Sequence, residues 1–247
     1  MLWAAQVGAA IQIDDAQAQR IALQIWQNEG AGRVDYLTVW NEGEDFPSFG
    51  IGHFIWYPAG ADGPFVESFP GLRDYLQQRM ALPEWLRHAQ ASPWSSRDEF
   101  YRQFDSLQMR ELRQLLEQSV SHQVGFIIQR MESALPKMLA AVPEKAQRVH
   151  ITRQFYRVAA QANGPYALID YINFKGEGVA LSERYQGQGW GLLQVLQGMR
   201  PEVGEVMAEF VRSADEVLSQ RVANAARDES RWLAGWRKRL QTYIAPL

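Results

Sequence analysis

The sequence predicts a mostly α fold (α+β), a helical body carrying one small β-hairpin lobe near the N-terminus. Two observations predict it. Apolar residues recur at spacings of three and four along most of the chain, which is the helical period. Residues 31–69 break that period, with Gly, Pro, Asn and aromatic residues dense and helix formers scarce. The chain has 247 residues, 47% of them apolar, which is enough for a full core. Chains of this size bury roughly 70–75% of their unfolded surface, so no disulfide or metal is needed to hold the fold.

The elements follow in order. Met1 to Ala10 is apolar but carries no Lys or Arg, so it lacks the charged start of a signal peptide; it reads either as the remnant of a leader or as a first strand or coil. Asp14-Asp15-Ala16-Gln17 is a capping box. Behind it Ile21, Ala22, Ile25 and Trp26 share a face and the pattern stops at Gly30, a helix of about three turns with Glu29 at its end. Val34 to Trp40 and Ser48 to Tyr57 read as strands, separated by the turn-prone run 41–47. Helices resume at residue 71. Ser96-Arg-Asp-Glu99 opens one carrying Phe100, Tyr101 and Phe104. Pro143-Glu144 opens a long segment that closes at Asn163-Gly164. Pro201 opens another, with Val203, Val206, Phe210, Val211, Ala214 and Leu218 at core spacings, and a last short helix carries Trp232, Trp236 and Leu240. The organisation expected is one domain over 1–247: first helix and hairpin lobe at 14–69, a helical insertion at 70–165, and a C-terminal helical core at 166–247.

Composition excludes several classes of function. There is no cysteine, hence no disulfide framework, thiolate zinc site or cysteine nucleophile. Charged residues are 21% and the net charge is −3, which fits neither a disordered tail nor a basic nucleic-acid binder. No run approaches the roughly 18 apolar residues of a membrane span, so no transmembrane segment is expected. The four His (53, 88, 122, 150) show no ligand spacing, and no glycine loop of phosphate-cradling type is present. Neither metal, cofactor nor nucleic acid is expected.

The stretch that carries chemistry is Ile25-Trp-Gln-Asn-Glu-Gly30 followed by Trp40-Asn-Glu-Gly-Glu-Asp-Phe-Pro-Ser-Phe-Gly-Ile-Gly-His53. It places Glu29 at the end of an apolar helix, where partial desolvation keeps a proton available. Glu42, Glu44 and Asp45 sit in a turn, where a carboxylate stays wet and ionised. Two carboxyls with environments pushed apart form an acid–base pair, and glycoside hydrolysis needs such a pair. Gly50 and Gly52 would let a sugar chain pass close to a strand backbone. Taken alone, a Glu before a glycine at a helix end is most often a solvated surface group, and several carboxylates in one turn are usually just a hydrophilic turn.

Read together, these residues resemble the phage-type lysozymes, glycoside hydrolase family 24, where a Glu-Gly at the first helix end precedes a hairpin and a Gly-x-Gly-His strand. Ala167-Leu-Ile-Asp-Tyr-Ile-Asn-Phe-Lys-Gly176 is similar to the family's central helix, Trp190-Gly-Leu-Leu-Gln-Val-Leu196 to the following Leu-Leu helix, and Ser230-Arg-Trp232 with Arg237 and Arg239 to its C-terminal Arg-Trp segment. Residues 70–165 have no counterpart. The resemblance implies a lysozyme-like fold and cleavage of the glycan strands of peptidoglycan, or of a related amino-sugar polymer, in a periplasmic or envelope setting. It implies Glu29 as general acid and Glu42, six residues before Ser48, as second carboxylate, with Glu44 and Asp45 as rivals. Here Glu replaces the usual Asp, and Ser48 replaces the Thr that helps hold the water. His53 matches a family His that supports the hairpin and is counted among the substrate-side residues. Arg237 or Arg239 is a candidate to position Glu29.

A second resemblance is to the lytic transglycosylases, where a catalytic Glu precedes a Gly-Leu-Met-Gln type sequence. Glu177 and Gly189-Trp-Gly-Leu-Leu-Gln194 match it, but Gly178 stands where that family has Ser. A third reading is a lysozyme-like glycan binder without catalysis. Sugar rings stack on aromatic faces, so Trp40, Trp56, Tyr57 and Trp190 are the substrate-side candidates, with Asn173; core packing competes with that role and is expected for at least half of the aromatics. Trp26, Trp232 and Trp236 are expected in the core. The net charge of −3 gives no attraction to an anionic wall.

Overall fold

The computed structural model describes residues 13–63, 65–202, 204–245 and 247. The expectation for Met1–Ala10 and the place given to Val203 lie outside them. The protein is mostly helical, with small antiparallel sheets. It divides into two compact units, Ala16–Ile127 and Ile128–Leu247, the described residues before Ala16 going with the second. The division falls inside a helix rather than at 69/70 or 165/166. Residues 70–127 belong with the hairpin lobe, and 128–165 belong with the C-terminal helices.

In the first unit α1 (Asp15–Gly30) is longer than its sequence pattern suggested and buries Ile21, Ala22 and Ile25. It stops because the backbone turns left-handed at Ala31 (φ 50°) and Gly32 (φ 68°). That reversal carries the Ala31 and Gly32 amides back to the carbonyls of Gln27 and Trp26, which no further helical turn would satisfy. A 3₁₀ turn, Val34–Leu37, then leads into β1 (Thr38–Val39). The second expected strand is two, β2 (Ser48–Phe49) and β3 (Phe54–Ile55), in a sheet of order β1-β2-β3. Phe49 pairs with Phe54, so residues 50–53 are a four-residue hairpin loop rather than strand. Gly50 (φ 72°) and His53 (φ 45°) are both left-handed and close that loop.

Helices α2 (Phe69–Gln77), α3 (Glu84–Arg87), α4 (Arg97–Arg102) and α5 (Leu107–Gln118) complete the unit with the first two turns of α6 (Val120–Ala140). Ser96 caps α4 as its spacing predicts, its hydroxyl accepting the Glu99 N–H at 3.2 Å. The core is aromatic: Phe49 lies 4.9 Å from Phe69 and 5.9 Å from Trp56, and Trp94 lies 5.5 Å from Phe100. All five rings are fully buried. Each such ring removes about 150–250 Å² from water, which makes this cluster the main stabiliser of a lobe whose strands are two residues long.

In the second unit α8 (Gly164–Lys175) is buried continuously from Gly164 to Ile172. A helix apolar on all sides must be surrounded, and α7 (Lys145–Ala159) and α9 (Leu192–Gly198) pack on it. Gly164 opens α8 rather than closing α7, and it must be glycine, because a Cβ there would lie 1.7 Å from the Val158 carbonyl oxygen. Between α8 and α9 the chain makes a second small hairpin, β4 (Arg184–Tyr185) with β5 (Gln188–Gly189). The long helix α10 (Val206–Asn224) packs on α7, α9 and α11 (Ser230–Gln241), burying the predicted face Val206, Phe210, Val211, Ala214 and Leu218. Asp170 in α8 is fully buried. It accepts from Arg239 Nε and Nη2 at 2.8 Å each and from the Tyr243 hydroxyl at 2.6 Å, and burial beside this carboxylate raises Tyr243 far above the ordinary tyrosine range. No helix of the described residues is long and apolar enough to cross a membrane.

Candidate active site

Glu29 sits in the last turn of α1, its side chain 15% exposed. Its Oε2 lies 3.7 Å from Nδ1 of His53, itself 20% exposed, at the end of the hairpin loop. The loop is fixed from beneath by Gln123, which is fully buried in α6. Gln123 Oε1 accepts the Ile51 N–H at 2.9 Å, and its Nε2 donates to the Leu116 carbonyl at 2.6 Å and to Ser119 Oγ at 3.0 Å. Gly50 donates its N–H to the Leu37 carbonyl at 2.8 Å. A Cβ on Gly50 would lie 2.2 Å from Gln123 Oε1, so the space this glycine leaves open is filled by the protein's own amide. That corrects the expectation that Gly50 clears a path for a sugar chain.

The turn carboxylates are not equivalent. Glu42 and Asp45 are exposed. Glu44 is half-buried; burial raises its carboxyl above the ordinary range, partly offset by the Asn41 amide donating to Oε2 at 3.1 Å. Trp40 Nε1 donates to the Glu44 carbonyl at 2.7 Å, which ties the turn to the core. Ser48 lies in the middle strand between Val39 and Ile55 and is only 4% exposed, leaving its hydroxyl little access to solvent.

Core packing, expected for at least half of the substrate-side aromatics, takes all four. Trp40, Trp56, Tyr57 and Trp190 are all buried and offer no open face to a saccharide. Trp56 is wedged against Phe69 and Phe49. Tyr57 lies against Phe46 and donates its hydroxyl to the Phe65 carbonyl at 3.3 Å. In the second unit the Arg221 guanidinium covers Trp190 at 4.2 Å, and Asn173 is half-buried in the last turn of α8. Trp232 and Trp236, expected in the core, are half-buried on α11, near-parallel at 6.5 Å and fringed by Arg231 and Lys175. Helical spacing marks one face of an element but does not say whether that face is fully covered.

Compared with protein-family models, curated proteins and solved structures, the chain has no significant match.

The second unit has its own ionic cluster. Glu177 follows α8, is 15% exposed and accepts from Lys137 Nζ at 2.9 Å. Glu183 is half-buried and raised by burial; Arg221 and Arg130 lower it and Glu177 raises it further. Burial lowers the Arg130 guanidinium, offset in part by Glu177 and Glu183. Gln194 takes the Gly191 N–H on its Oε1 at 2.9 Å and donates to the Gly178 carbonyl at 3.0 Å, so this glutamine locks the loop after α8 onto the start of α9. Arg237 pairs with Asp215 at 2.6 Å. Glu229, fully buried, holds the second hairpin to α10 by accepting from Arg221 Nε at 2.8 Å and from the Tyr185 hydroxyl at 2.9 Å.

Among the described residues, no group of three or more His, Asp or Glu side chains is placed to hold a metal ion. Gln123 is the residue that sequence reasoning missed. Its signal was a polar side chain where Val120, Val124, Ile127 and Met131 trace an apolar stripe. A buried amide in such a stripe marks a backbone group that needs a partner.

Proposed function

We propose that the protein is a glycoside hydrolase of the lysozyme-like type, acting on the glycan strands of peptidoglycan or a related amino-sugar polymer, with Glu29 as general acid. The observation that carries this reading is the shielded Glu29 carboxyl at the end of α1, faced by the His53 loop of the hairpin. A general acid must be held in reach of the bond it protonates in a site that limits competing water, and the end of α1 beside the hairpin loop offers such a position. The order of the other motifs along the chain supports the same reading. Glu29 donates its proton to the glycosidic oxygen. Glu42, exposed in the turn, takes a proton from the water that attacks the anomeric carbon on the opposite face. Glu44 suits that role less, because burial opposes its charged form. Ser48 would reach the water only at the edge of its burial. This scheme inverts the anomeric centre and calls for carboxyl groups about 6.5–9.5 Å apart, against about 5–5.5 Å in a retaining enzyme.

The test is clearing of purified peptidoglycan by wild type and by Glu29→Gln. Loss of general-acid catalysis lowers the rate by about 10²–10⁴-fold. Full activity in the variant overturns the assignment, and glycan pelleting without cleavage by the wild type marks a binding protein. The transglycosylase reading gives Glu177 the proton, yet Glu177 accepts from Lys137 and Gln194 is engaged with the backbone. Mass analysis of the product ends separates the two, since only a transglycosylase leaves anhydro sugars. Activity that is lost in Glu177→Gln and kept in Glu29→Gln reverses the order.

A further inference from the structure

We propose that His53 is a positioning residue for Glu29, held in a strained backbone conformation for that purpose; the catalytic half of this inference rests on the function proposed above. The last residue of the four-residue loop 50–53 must be left-handed for Phe54 to pair with Phe49. Glycine adopts that conformation without steric cost, while histidine, like asparagine and aspartate, enters it more readily than other residues but at a cost glycine does not bear. The turn itself would be met at lower cost by glycine. The reason for a histidine is where the left-handed conformation sends the side chain: Nδ1 ends 3.7 Å from Glu29 Oε2, with both groups largely shielded from water. At that distance the contact is too long for a hydrogen bond and acts through charge and dipole. It biases the carboxyl toward the orientation that keeps Oε2 beside the loop.

The surroundings are built to keep this geometry. The His53 N–H donates to the Gly50 carbonyl at 3.2 Å, Gly50 is tied to Leu37, and Ile51 is clamped by Gln123. Backbone strain persists only where neighbouring structure over-determines it, and it gathers at functional sites. A histidine present only for packing would stabilise the loop. A histidine present to orient Glu29 costs the loop stability and contributes activity, so the two readouts move in opposite directions.

The experiment compares His53→Gly, His53→Asn and Glu29→Gln with wild type in thermal melts, in peptidoglycan clearing and in the imidazole nitrogen NMR shifts of His53 at fixed pH. The expected result is that His53→Gly melts at or above the wild-type temperature while clearing slows at least tenfold. His53→Asn, whose amide reaches the place of Nδ1, recovers part of the rate. The His53 imidazole signal moves in Glu29→Gln. His53→Gly losing several degrees of melting temperature, or an imidazole signal unmoved in Glu29→Gln, overturns the inference. Full activity in Glu29→Gln instead overturns the function it rests on, and the melts and NMR shifts still decide whether His53 is strained and coupled to Glu29.

Discussion

Gln123 offers the sharpest test of how the hairpin loop is held. In Gln123→Met the side chain keeps its length and loses every polar atom. The Ile51 N–H, on a fully buried residue, loses its acceptor. A buried backbone donor left without a partner costs about 1–3 kcal/mol. The two bonds that Nε2 donates also vanish, although the Leu116 carbonyl keeps the Ser119 hydroxyl at 3.3 Å. That adds about 0.5–1.5 kcal/mol, so the total is about 1.5–4.5 kcal/mol. Gln123→Ala adds a cavity and a further 1–2 kcal/mol or so. Urea denaturation followed by circular dichroism reads the loss as a lower midpoint at unchanged slope. Amide exchange at Ile51 locates it, since protection there should fall more than at Phe49 or Phe54. A Gln123→Met variant within about 0.5 kcal/mol of wild type, with Ile51 still protected, would refute the clamp.

Three further outcomes follow from the same kind of reasoning. Gly50→Ala places a Cβ 2.2 Å from Gln123 Oε1 on a backbone at φ 72°, so it should destabilise by at least about 1–3 kcal/mol in the same assay, and less in a Gln123→Ala background that removes the clash. Asp170→Asn leaves the buried Arg239 guanidinium without its countercharge and puts an NH2 donor in place of one acceptor oxygen, and should cost about 3–5 kcal/mol, read as a drop in melting temperature. Glu209, buried on α10, is held far below the ordinary carboxylate range, first by hydrogen bonds from Arg212 and then, against the opposing effect of burial, by those from Arg200. Because its folded value is depressed, its contribution is complete above the ordinary value of 4.5 and is lost as pH falls below it. Urea midpoints between pH 7 and 3 should therefore decline less steeply in Glu209→Gln than in wild type.

Sequence and tertiary structure determined different things about this protein. Local rules placed most helices within a few residues: the Ser96 cap opens α4, Gly30 ends α1, and the three- and four-residue spacing of Val206 to Leu218 is the buried face of α10. These depend on neighbours along the chain, so they are written in the chain. The hairpin at 31–69 was legible as a departure from helix, but not its three short strands, which depend on where Gly50 and His53 turn the backbone. The sequence also singled out Glu29 and His53, but not their approach to 3.7 Å nor the Gln123 amide beneath the loop, seventy-two positions from Ile51. The aromatic residues show the limit most clearly. A tryptophan in a motif and a tryptophan on a helix look alike in sequence, yet packing buried Trp40, Trp56 and Trp190 and left Trp232 and Trp236 half open. Burial is a property of what arrives from elsewhere in the chain, and only the folded structure decides it.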